Sequence, residues 1–215
     1  MVNIHLLSSG GELEPYRERI LEYAERTVSR VQGLLLLRNV DVAIMRNPWA
    51  VIPSTGIGGK APTAHTILIS LEPNTARFLE QLEVEFCATL AHELHHAMRY
   101  HNPGTMKNLA DALVWEGLAQ HFEIEFRGGE IPPYATLNDP SRMGELLELA
   151  KLEFGAPLDY TGWFFGIPSH DVPSWTGYAL GFEVMRRYFA RTNETAVSAW
   201  AVSAKTVFDT LEAYS

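Results

Sequence analysis

Four groups capable of metal and proton chemistry fall within five consecutive residues, His92-Glu93-Leu94-His95-His96. On a helix, residues four apart share a face, with Cβ atoms ~5–6 Å apart. His92 and His96 can then converge on one cation at ~2.0–2.1 Å each. Glu93 follows the first histidine and is placed to reach a metal-bound water rather than the metal. A catalytic metal of this kind takes three protein ligands and keeps one position open. The candidate third ligand is Glu116, 20 residues after His96 in Leu113-Val114-Trp115-Glu116-Gly117-Leu118-Ala119. A carboxylate in such apolar company is costly to bury unless something compensates it, and a divalent cation is an adequate partner. Gly117 costs ~1 kcal/mol against Ala inside a helix, which makes sense if something approaches the backbone closely. Nitrogen and oxygen donors without a thiolate suit one zinc ion, although cobalt or manganese fits the same set. The rival reading is an accidental histidine cluster. The pattern arises by chance in a chain of this length on the order of 1% of the time. His95 and His101 read as exposed helix histidines. His121, one turn beyond Glu116, reads as a surface histidine rather than a partner of the ligands.

The elements around these residues must make the spacing work. Leu79, Leu82, Phe86, Leu90, Leu94 and Ala97 form an apolar stripe, which predicts a helix ending near Tyr100 independently of the histidines. Asn102-Pro103-Gly104 breaks it, and a second helix runs from about Asn108 to Phe126, ending at Gly128-Gly129. A short turn lets two such helices lie side by side. Upstream, Val2–Leu7 reads as a strand closed by Ser8-Ser9-Gly10-Gly11. Pro15 then opens a helix that Gly33 ends, and Val40–Met45 is a second strand. Residues 53–62, rich in Gly and Pro, read as a loop, and Thr66–Leu71 is the strongest strand in the chain. Downstream, Ser141–Phe154 and Tyr178–Ala190 read as helices, with one or two more at the end. Residues 157–173 read as irregular, with an aromatic run Trp163-Phe164-Phe165. The expectation is an α+β fold in one domain over 1–215, with a strand-rich part over 1–100 and a helical part over 101–215.

With 215 residues, 47% hydrophobic and 20% charged, the chain can build a sizeable core without staples. A formal net charge of -9 offers no footprint for nucleic acid and is repelled by anionic membrane surfaces. Neither is therefore expected as a partner. Cys87 is the one cysteine and cannot form an internal disulfide; its apolar neighbours suggest a small core residue. Met1–Leu7 lacks the basic region of a signal peptide. The longest apolar run, Leu34–Leu37, is far below the ~20 residues of a membrane span. A cytoplasmic location is the default expectation, and oligomeric state is not legible.

His92-Glu93-Leu94-His95-His96 followed by Trp115-Glu116-Gly117-Leu118-Ala119 resembles the gluzincin metallopeptidases. With Gly177-Tyr178-Ala179-Leu180-Gly181 added, the chain is most similar to the YjaZ-type family of predicted zinc-dependent proteases, from about Val40 to about Tyr188. The resemblance implies a zincin-like fold, with a small mixed sheet over the metal-binding helix and a mainly helical C-terminal half. It implies peptide or protein substrates, one zinc held by His92, His96 and Glu116, and Glu93 as general base. Tyr178, in a Tyr-x-x-Gly pattern, matches the tyrosine that stabilises the tetrahedral intermediate in the aminopeptidase branch. The Gly-x-Met-Glu-Asn segment with which that branch holds a free α-amino group is absent from the sequence. Thr66–Leu71 is the expected sheet edge for an extended peptide, and Trp163–Phe165 with His170-Asp171 the expected opposite wall. Two other readings are a non-catalytic zinc-binding module for a peptide or partner, and a metal-dependent hydrolase of non-peptide substrates.

Overall fold

The computed structural model describes residues 1–102, 106–167 and 172–213. The chain packs as two units, Met1–Asn102 with Glu125–Gly129, and Pro103–Ile124 with Glu130–Ser215.

The first unit is a four-stranded mixed sheet with two helices. Strands β1 (Val2–Leu7), β2 (Val40–Arg46), β3 (Ile57–Thr63) and β4 (Thr66–Leu71) lie in the order β1-β2-β4-β3. β1, β2 and β4 are parallel, and β3 runs antiparallel to β4. Parallel neighbours need a crossover, which helix α1 (Arg17–Gln32) supplies between β1 and β2. Gly33 stands at its C-cap, as expected. Val40, Val42 and Ile44 alternate inward along β2, while β4 is buried over its last three residues. A strand flanked on both edges and covered by helices has little exposed face, so its sequence reads as a near-continuous apolar run.

Helix α2 (Phe78–Arg99) packs on α1, β3 and β4. Its stripe holds at Leu82, Phe86, Leu90, Leu94 and Ala97, all buried, but Leu79 is 54% exposed and drops out of it. From Leu90 to Arg99 every residue is buried, so the C-terminal half of α2 is enclosed on all sides. Two other expectations fail here. Residues 57–63 are a strand, not a loop, and Thr66–Leu71 is an inner strand rather than the edge, which β3 forms.

The second unit is helical: α3 (Leu109–Glu123), α4 (Met143–Leu152), α5 (Tyr160–Phe165), α6 (Thr176–Thr192) and α7 (Ala204–Glu212). Asn108 caps α3 by accepting from the Asp111 N–H at 3.0 Å. α3 and α6 form the main packing pair, and a Gly–Gly crossing sets how near they come. A Cβ on Gly117 would stand 2.1 Å from the Gly181 carbonyl oxygen, and one on Gly181 would stand 2.5 Å from that of Leu113. The close approach inferred at Gly117 is therefore the backbone of α6. The stretch expected to be irregular contains α5, capped by Asp159 accepting from the Gly162 N–H at 2.9 Å. Trp163 and Phe164 are core residues, whereas Phe165 is half exposed. His170 and Asp171 lie outside the described residues. Among the described residues, no helix is long and apolar enough to cross a membrane.

Candidate metal centre

On α2, helical periodicity brings His92 and His96 together as expected, with ring centroids 4.5 Å apart and planes at 90°. Both are buried, as is Glu93 between them in sequence. Glu93 lies against β3. A Cβ on Gly59 would stand 2.6 Å from its Cγ and 2.7 Å from its Oε1, so the backbone there can pass the carboxylate because residue 59 has no side chain. The Tyr100 hydroxyl, at the end of α2, donates to the Ala61 carbonyl of the same strand at 3.1 Å. β3 is thus tied to the helix that carries the histidines.

On α3, Glu116 is buried. The Tyr160 hydroxyl donates to its Oε1 at 2.9 Å and lies 3.2 Å from the Tyr178 hydroxyl. The Tyr160 ring is stacked on Phe164, with centroids 4.2 Å apart and planes within 8°. Burial, followed by the charge of Glu116 and then Tyr178, pushes the Tyr160 phenol far above the ordinary tyrosine range, so it remains a neutral donor. Tyr178 is half-buried on α6, its ring edge against Phe164 and Tyr134. Tyr134 in turn donates to Glu123 at 2.6 Å, a second buried carboxylate on α3.

One ligand atom from each of His92, His96 and Glu116 lies within 4.8 Å of the other two, and all three residues are buried. This is the one such group among the described residues. Ligands bound at ~2.0–2.2 Å to one tetrahedral ion stand ~3.5 Å apart. Two imidazoles and a carboxylate without a thiolate form a donor set that suits zinc.

The histidines that were not expected to be ligands behave differently from one another. His101 is exposed as expected. His95 is fully buried, not exposed, because the enclosed half of α2 has no solvent face. His121 is not a plain surface residue either. It is part-buried, lies 2.9 Å from the Phe182 carbonyl and stacks on the Phe182 ring with centroids 4.2 Å apart. Burial depresses its pKa below the ordinary value, the Phe182 carbonyl working against that shift. Sequence reasoning missed Tyr160. Its one local signal was Asp159, a residue type that starts helices.

The donor set is a candidate site for a divalent metal, with two histidines four apart on α2 and a glutamate from α3, all buried. The chain belongs to the family described as predicted Zn-dependent protease (DUF2268), which it matches over residues 20–209. This agrees with the resemblance carried by the histidine, Glu116 and Tyr178 segments. No curated protein and no solved structure matches the chain.

Proposed function

We propose that this protein hydrolyses peptide bonds as a gluzincin-type zinc metallopeptidase. In this reading His92, His96 and Glu116 hold one zinc ion, Glu93 is the general base, and the sheet and helices form a zincin-like fold. The observation that carries it is the buried His92–His96–Glu116 group with Glu93 beside it on α2. Bound zinc supplies Lewis acidity and lowers the pKa of a water toward ~7. Glu93 takes the proton of the attacking water on its carboxylate and passes it to the leaving amine, a role worth ~10²–10⁴-fold in rate. The Tyr178 hydroxyl donates to the developing oxyanion, and losing one such donor costs ~3–4 kcal/mol. β3 takes over the role first expected of Thr66–Leu71: as the edge strand beside Glu93, it presents backbone groups on which an extended peptide adds as a further strand.

The test combines zinc stoichiometry with turnover of a quenched peptide pool. One zinc per chain and metal-dependent hydrolysis are expected. Glu93→Gln should keep the zinc and lose activity by ~10²–10⁴-fold, while Glu116→Ala should lose the zinc. Full activity in Glu93→Gln would remove Glu93 from the role of base. Stable zinc without turnover of any peptide would make the chain a binding module, and turnover of esters alone would move it to another hydrolase class.

A further inference from the structure

We infer that Tyr160 is a positioning residue whose single hydroxyl both orients the Glu116 carboxylate toward the metal and fixes the direction of the Tyr178 proton. The inference rests on the zinc-site reading above. A phenol has one proton. Tyr160 gives that proton to Glu116 Oε1 at 2.9 Å. At the 3.2 Å contact with Tyr178 its oxygen can then only accept, so the Tyr178 O–H donates to Tyr160. Two links of defined direction follow, Tyr178 to Tyr160 and Tyr160 to Glu116. The first sets the resting orientation of a hydroxyl that must turn its proton toward substrate. The second holds one carboxylate oxygen and thereby limits how the other can turn. The Tyr160 ring is itself held, stacked on Phe164 in the capped helix α5. The hydroxyl is therefore placed by a packed ring on a capped helix, as expected of a group that orients a metal ligand.

The experiment uses the full chain. Tyr160→Phe keeps the stacked ring and removes only the oxygen. Chelator competition should show zinc affinity falling about 10–100-fold, and the visible spectrum of the cobalt-substituted protein should change. Tyr178→Phe keeps the Tyr160 hydroxyl that donates to Glu116 and should lower zinc affinity clearly less than Tyr160→Phe does. In a Glu116→Gln background, Tyr160→Phe should cause a clearly smaller loss, because its action passes through the carboxylate. Wild-type zinc affinity and an unchanged cobalt spectrum in Tyr160→Phe would overturn the inference while leaving the zinc site standing. An unmutated chain that binds no zinc would overturn both. Should the Tyr160→Phe variant not fold, NMR of the unmutated chain and of Tyr178→Phe carries the test. A slowly exchanging Tyr160 hydroxyl proton should shift in the NMR spectrum on adding zinc and on introducing Tyr178→Phe; a proton indifferent to both would also overturn the inference.

Discussion

Glu93 and Glu116 are both buried carboxylates, each on a helix enclosed over most of its surface, yet their surroundings differ. Glu93 lies against Gly59, where the strand backbone has no side chain to press on it. Glu116 is gripped by the Tyr160 hydroxyl and stands next to Gly117, where the backbones of α3 and α6 nearly touch. The first carboxylate has been given room and the second has been given a hold. That matches the work proposed for each. A base must accept a proton, turn and release it, whereas a ligand must keep its orientation. Glycine serves both ends, by leaving space beside Glu93 and by letting two helices close up beside Glu116.

The largest expected effect comes from filling the space. In Gly59→Ala the new Cβ would stand 2.6 Å from Glu93 Cγ and 2.7 Å from Thr89 Cγ2. Real Cβ atoms do not come that close, so the flexible Glu93 side chain must give way. A displacement of ~1 Å at a catalytic group can cost ~100-fold. kcat should fall by about that factor in a peptide assay while chelator competition shows unchanged zinc affinity. A variant of wild-type activity would mean that Glu93 does not need the room, and the contrast with Glu116 would collapse.

The same contrast explains which parts were legible in the sequence. Repetition was readable: the α2 stripe, the apolar run of β4 and the i, i+4 histidines follow from local periodicity. Features that exist because of a distant neighbour were not. Ile57-Gly58-Gly59-Lys60-Ala61-Pro62 looks like a loop, because the glycine that admits Glu93 is also a turn former. α5 is six residues long, too short to show a period. His95 and Arg99 are polar residues that a periodic reading turns outward, but α2 is enclosed there on every side. Of the candidate site, residue types and spacing pointed to His92, His96 and Glu116, which the structure groups, and to Glu93 as the proposed base, whereas Tyr178 came through resemblance alone. Tyr160 lies 44 residues from the carboxylate it holds, beyond any local pattern.

Tightening the helix crossing should have a smaller effect, and on stability first. Gly117→Ala gains ~1 kcal/mol of helix propensity, but its Cβ would sit 2.1 Å from the Gly181 carbonyl oxygen. That neighbour is backbone and cannot rotate away, so α6 must shift. Overpacking of this kind costs ~1–3 kcal/mol and outweighs the gain. A urea melt should show the midpoint lowered with the slope unchanged. An unchanged or raised midpoint would show that the α3–α6 contact can relax, and that the hold on Glu116 is softer than its neighbours suggest.

The smallest effect tests the same helix pair through His121, whose ring stacks on Phe182 of α6. An imidazole with a folded-state pKa below its ordinary value of 6.5 binds fewer protons folded than unfolded. Stability therefore rises with pH across the window between the two values. The contribution is complete above pH 6.5 and is lost as pH falls below it toward the folded pKa. Urea midpoints of the wild type should drop more steeply on acidification through this range than those of His121→Asn, which cannot titrate there. Parallel pH profiles would mean that the ring charges in place without disturbing α6. Support for Glu116 from that side would then rest on the Gly117–Gly181 approach and on the Tyr160 hydroxyl.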